Sequence, residues 1–275
     1  VSGKWFRGIT PSRRPAPGIN TGVAHPARVY DYWLGGKDNF AADRQAAEAV
    51  IAVRPGIIRD IRENRSFLIR AVRYLAAEAG IRQFLDLGTG IPTSPNVHEA
   101  VQAAVPESRV VYVDNDPIVL AHARALLTSS AEGATAFLDA DLRKPEPILA
   151  EAARTLDFSQ PVAVVMVGVL HLVPDADQPR AIIECYLAGV PAGSYLVITQ
   201  PASDVNAEAA AAGARQYNSF VATPQTRRDH AGTAEFFNGL DLVEPGLVQA
   251  HQWRPDPGSS PSGSISAWAG VARKL

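Results

Sequence analysis

Two apolar runs, each ending in an acid, constrain this chain more than any other feature. The first, Gln83-Phe84-Leu85-Asp86, continues into Leu87-Gly88-Thr89-Gly90, and the second is Val110-Val111-Tyr112-Val113-Asp114. The first reads as a buried parallel strand, and its glycines let the backbone turn tightly under a ligand. The second brings a carboxylate to the carboxyl edge of the same sheet, where ribose hydroxyls are gripped. The pair predicts a doubly wound α/β sheet with a nucleoside pocket at its strand ends.

The glycine spacing narrows the nucleoside. A dinucleotide fingerprint takes Gly-x-Gly-x-x-Gly, whose third glycine allows close packing of helix on strand. Here that place is Thr93. A strand ending in an acid-x-Gly-x-Gly pattern instead resembles motif I of class I S-adenosylmethionine (SAM) methyltransferases, matched at Asp86, Gly88 and Gly90, with Pro92 where that motif has its last glycine. Proline fits the first turn of a helix, where a missing N–H costs nothing. A purely structural turn fits the same glycines.

The segments that follow keep a βα alternation. Asp114-Asn115-Asp116-Pro117 leads to Ile118–Leu127, with apolar residues at helical spacing. Ala134–Leu138 runs into Asp139-Ala140-Asp141-Leu142, which looks like the methyltransferase motif that sets a carboxylate near the adenine amino group; Asp141 is the choice, although both acids also suit ordinary turns. Pro161–Val167 is a β-branched central strand that places Gly168 and His171 at its carboxyl end. His171 is a candidate general base for an oxygen or nitrogen acceptor, set against the commoner role of a structural histidine. A helix from about Asp177 to Ala188 precedes a fifth strand, Ser194–Thr199, and further strands are expected at Leu240–Glu244 and Ser266–Arg273.

A longer resemblance rests on Ala27-Arg28-Val29-Tyr30-Asp31-Tyr32-Trp33-Leu34-Gly35-Gly36-Lys37-Asp38-Asn39-Phe40 and on Asn64–Leu75. It continues through Val243–Val248 and Trp253-Arg254-Pro255. These blocks resemble a bacterial S-adenosyl methyltransferase family once catalogued as a domain of unknown function, over nearly the whole chain from residue 25. The resemblance implies a Rossmann-like class I methyltransferase fold: a seven-stranded, mostly parallel sheet with helices on both faces, an antiparallel hairpin at one edge and an N-terminal helical extension. It implies SAM as cofactor, held by Asp86, Gly88, Thr89, Gly90, Asp114, Asn115, Asp141, Leu142, Gly168 and His171, with Asp114 on the ribose. The cofactor's carboxylate needs a cationic partner, and Arg65 and Lys37 are the candidates. Most arginines of the helical region Ile57–Glu78 are expected to face water.

Tyr30, Tyr32, Trp33 and Phe40 around the helix-breaking Gly35-Gly36 predict an aromatic loop, either laid over the open sheet edge or clasping the N-terminal helices to the core. Tyr32, Lys37 and Asn39 are its substrate candidates. Ala202–Gly232 interrupts the alternation after the fifth strand, with a helix expected at Asp204–Ala212 and a polar turn at Thr223–His230. Gln200, Tyr217 and Arg227 are the substrate candidates there, each also explicable as an ordinary helix or loop residue.

The 275 residues, 47% hydrophobic and 20% charged, suffice for one α/β core, divided as a flexible arm (1–22), an aromatic helical cap (23–80) and a SAM-binding unit (81–275). A net charge of −2 gives no broad basic footprint, which turns the reading from nucleic acid toward a small-molecule acceptor. The lone Cys185 excludes an internal disulfide and multi-cysteine zinc patterns; it reads as core and suits a reducing cytoplasm. No metal site and no membrane span are expected. A non-catalytic SAM-binding regulator and a nicotinamide-linked oxidoreductase remain as rival readings, Thr93 standing against the second.

Overall fold

The computed structural model of the chain describes residues 20–119, 121, 129–258 and 263–275. Five strands run parallel: β1 (Gln83–Leu87), β2 (Arg109–Asp114), β3 (Ala134–Asp139), β4 (Ala163–Met166) and β5 (Tyr195–Pro201). Three antiparallel segments complete the sheet: β6 (Leu240–Leu242), β7 (Val248–Gln249) and β8 (Ala267–Lys274). The order is β3-β2-β1-β4-β5-β8-β6, with β7 also on β8. The order reverses at β1 and β4, and ligands of open α/β sheets sit at the carboxyl ends beside such a switch.

Among the described residues the sheet has eight strands where seven were expected, because the edge partner of β8 is broken in two. Leu240–Leu242 pairs with Ala272–Lys274 and Val248–Gln249 with Trp268–Ala269. Between them Pro245 has no N–H for the ladder, and Gly246 N–H turns back to Val243 O at 2.9 Å.

Alternation along the strands feeds two cores. Phe84, Val110, Tyr112, Val165 and Val197 meet α3 (Ile57–Ala77), α4 (Val97–Ala104) and Trp253 on one face. Leu85, Val111, Val164 and Ile198 meet α5 (Pro145–Ala152) and α6 (Pro179–Ala188) on the other. A third cluster joins α1 (Pro26–Trp33) and α2 (Ala41–Val53) to α7 (Ala207–Asn218), through Val29, Trp33, Ala46, Val50 and Tyr217. These three helices, with the first half of α3, form a roof beyond the strand ends.

Several expectations change. Tyr30, Tyr32 and Trp33 lie on helix α1, which ends just before the left-handed Gly35 (φ 85°), so only Phe40 of the four aromatics follows the turn. Cys185 is exposed: Ile182, Ile183 and Tyr186 make the buried stripe of α6, and Cys185 falls outside it. The inserted helix α7 runs further than expected, to Asn218. Of the expected helix Ile118–Leu127, residues 118, 119 and 121 are helical and the rest lie outside the described residues. Residues 1–19 of the expected arm also lie outside them; Asn20, its described end, is fastened by its carbonyl to Arg28 Nη2 at 3.1 Å. Among the described residues no helix is long and apolar enough to cross a membrane, and no group of three His, Cys, Asp or Glu could hold a metal ion.

Candidate functional site

A cavity of about 320 Å³ opens between the carboxyl ends of the parallel strands and the roof. Strand β1 delivers the first wall. Gly88 and Gly90 take left-handed backbone (φ 73° and 68°), and Gly88 N–H donates to Val113 O at 2.8 Å, so the turn folds back over β2. A Cβ on Gly88 would stand 2.2 Å from Val169 Cγ2, whereas one on Gly90 would meet nothing within 4 Å. The second glycine therefore faces open space.

Asp114, at the end of β2, closes this turn. One carboxylate oxygen accepts from Gly90 N–H at 2.8 Å and the other from Asp116 N–H at 2.9 Å. Burial raises its pKa, and these two donors pull the other way. Asp86 is deeper: burial pushes its carboxyl up to about 7, opposed by Arg65 and reinforced by Asp114. Arg65 Nη2 donates to the carbonyls of Thr93 and Pro95, pinning the segment after the glycines to α3. Its Nε is buried without a hydrogen-bond partner among the described residues.

The neighbouring strand ends supply more. Asp141 is held by Arg143, Nη2 to Oδ2 at 2.6 Å, and that pairing lowers its pKa. Gly168 is again left-handed (φ 71°), and its N–H donates to Thr199 Oγ1 at 2.9 Å, bracing the end of β4 against β5. His171 stands in a short 3-10 turn, its Nδ1 buried without a partner among the described residues. Burial, with Arg227 and Arg228 nearby, drives its pKa down to about 3, so the ring is neutral.

Eleven of the residues expected to hold the cofactor line this one cavity: Asp86, Gly88, Thr89, Gly90, Asp114, Asn115, Asp141, Leu142, Gly168, His171 and Arg65; Lys37, the other candidate for its carboxylate, does not. Of the substrate candidates, Tyr217 and Arg227 line it and four do not. Tyr32 turns away to hydrogen-bond Glu48. Lys37 is exposed, and Asn39 Nδ2 donates to Asp31 Oδ2 at 2.8 Å. Gln200 is buried and spent on Thr226 O at 2.8 Å and Arg228 Nη1 at 3.2 Å.

Sequence reasoning missed the polar part of the roof. Asp60 and Asn64 on α3 line the cavity, as do Tyr30 and Asp31 on α1. Asn64 Nδ2 donates to Tyr30 Oη at 2.9 Å, and burial raises the Tyr30 pKa. The signal was present: Ile57, Asp60, Ile61, Asn64, Arg65 and Leu68 recur every three or four residues, so polar groups lie on a buried helical stripe.

This chain is similar in structure to a DUF574 family protein from Streptomyces avermitilis, with 46% identity and a TM-score of 0.90 over 93% of this chain and 99% of that one. It is similar also to a candidate methyltransferase from Thermobifida fusca, with 40% identity and a TM-score of 0.87 over 96% of this chain and 99% of that one. No curated protein matches. The family model described as S-adenosyl methyltransferase matches residues 12–275. With that model spanning the sheet, the glycine turn and the roof alike, the chain belongs to the S-adenosyl methyltransferase family, whose cofactor is S-adenosylmethionine.

Proposed function

We propose that the cavity is where a methyl group passes from S-adenosylmethionine to a small-molecule acceptor, the donor lying against the Gly88–Gly90 turn and Asp114, the acceptor under α1, α3 and α7. One observation carries this reading: the ends of β1, β2 and β4, with the Asp141 segment after β3, all meet in a single cavity roofed by polar and apolar residues of α1, α3 and α7. The residues fit the donor. Gly90 leaves room for a ligand to approach the backbone, and the Asp114 carboxylate is oriented by two N–H groups. The buried, unpartnered Nε of Arg65 suits the donor's amino-acid carboxylate.

Bound there, S-adenosylmethionine supplies a methyl on a positively charged sulfur, whose C–S bond breaks as a nucleophilic atom forms its bond to that carbon. The protein's part is positioning and exclusion of water, so no covalent protein nucleophile is required. His171, neutral at physiological pH, orients an acceptor by hydrogen bonding and is too weak a base to keep a proton taken from it. We read residues 23–80 as a cap over an α/β unit, with α7 contributed to that cap by the unit itself. The lone free thiol, Cys185, fits a reducing cytoplasm.

The deciding experiment incubates the protein with S-adenosylmethionine and a metabolite panel and measures S-adenosylhomocysteine by mass spectrometry. Product that depends on one acceptor class is the expected result. Binding without turnover across the panel would favour a regulator, and a larger thermal shift with NAD(H) than with S-adenosylhomocysteine would favour an oxidoreductase.

A further inference from the structure

We propose that the acceptor is a carboxylic acid on an apolar frame and that Arg227 binds its carboxylate. This rests on the methyl-transfer reading and adds the substrate class. Arg54 and Arg227 line the β5 and β8 side of the cavity, and the nearby carboxylate of Asp60 is paired with Arg54. Arg227 is left with neutral oxygens. Its Nε and Nη2 both donate to Ala202 O, at 3.0 and 2.7 Å, and Nη2 lies 3.4 Å from Ser266 O. Its Nη1 has only Gln225 Oε1 at 3.5 Å, the outer limit of a hydrogen bond. The adjacent Arg228 is differently placed, with Asp175 at 2.6 Å and three further acceptors.

None of the hydrogen-bond partners of the half-buried Arg227 guanidinium is charged, and a ligand that brings a carboxylate to it is correspondingly favoured. Burial first and the nearby Arg54 second lower the Arg227 pKa to about 9, opposed by Asp60, whose hydrogen bond goes to Arg54. The opposite end has the reverse character. Asp86 and Asp114 stand at β1 and β2, and with strands about 4.8 Å apart the β5 end is roughly 10 Å or more from β1. An acceptor carboxylate is therefore set at Arg227, apart from Asp86 and Asp114 and from the Arg65 that suits the donor's own carboxylate, which orients the acceptor. Trp33, Val50, Ile57 and Tyr217 line the same cavity and supply apolar and aromatic surface for the rest of the molecule.

The test is calorimetry on protein saturated with S-adenosylhomocysteine, using acid and amide pairs of equal shape: benzoate and benzamide, phenylacetate and phenylacetamide, cinnamate and cinnamamide. At least one acid is expected to bind tenfold or more tighter than its amide. Arg227→Gln should erase that preference and leave S-adenosylhomocysteine affinity within twofold. Gln225→Glu, which sets a competing carboxylate beside Nη1, should erase it too and serves if Arg227→Gln does not fold. Equal binding of acid and amide in every pair, or a preference that survives a folded variant, overturns the proposal. Failure of the wild-type protein to bind S-adenosylhomocysteine would instead overturn the methyl-transfer reading, and the acid preference is then read on the unliganded protein.

Discussion

Asp114 commits both carboxylate oxygens to backbone donors, so its orientation is set before any ligand arrives. Asp114→Ala is expected to weaken S-adenosylhomocysteine binding about 10- to 100-fold, the range for hydrogen bonds to a charged group, with the chain still folded. Calorimetry decides it: unchanged affinity removes Asp114 from the site. Asp86 gives a pH signature. Its folded pKa of about 7 lies above the 3.8 of an unperturbed aspartate, so the native chain holds the proton more tightly and stability declines as pH rises from about 4 through 7. Between pH 5 and 8 the wild-type protein should lose roughly 2 kcal/mol more than Asp86→Asn, measured by urea unfolding. Equal losses would show that Asp86 is not the titrating group. These two acids were legible because strand and turn signals are local and a doubly wound sheet gathers strand ends in one place. Tyr32 and Gln200 were not, because which way a residue turns depends on partners far along the chain, here Glu48 and Thr226.

Helix α3 shows what periodicity reveals and what it hides. Its apolar stripe was legible, and Arg59, Arg62 and Arg73 are exposed as expected. Arg70 is buried, its Nε on Trp253 O at 3.1 Å and Nη2 on Ala250 O at 2.7 Å, which ties the helix to the turn between β7 and β8. Nothing within the helix announces carbonyls that lie some 180 residues away. Arg70→Met leaves those two acceptors without donors and should destabilise the protein by about 2 kcal/mol in urea unfolding, the unsatisfied carbonyls outweighing relief from burying the charge. A loss below about 0.5 kcal/mol would mean the carbonyls find other donors. The break at Gly35-Gly36 was legible, but the eight helical residues before it hold three of the four aromatics expected in the loop. Those residues carry the helical spacing that aims Tyr30 and Trp33 at the cavity and Tyr32 away.

At the scale of the molecule, the roof joins segments remote in sequence to the sheet that holds the glycine turn. A ligand that spans turn and roof therefore ties them together. S-adenosylhomocysteine at 100 times its Kd should raise unfolding stability by about 2.7 kcal/mol, and hydrogen exchange should slow in α1, the first half of α3 and α7 together. Slowing confined to the strand ends would show that the roof does not sense the ligand. The parallel sheet was legible from the alternation of elements, and a cap formed by residues 23–80 was expected; its closure by α7 was not, since α1 and α2 carry no mark that their partner is α7.

That pairing has a consequence for a chain as it leaves the ribosome. Helices α1 and α2 are made early, and Tyr217, which stacks at 6.1 Å from Trp33, comes more than 150 residues later. At about 5–20 residues per second the apolar side of the first two helices waits roughly 10–30 s for its cover. For that interval it is a surface for chaperones to shield, and synthesis halted before α7 would leave it sticky for good.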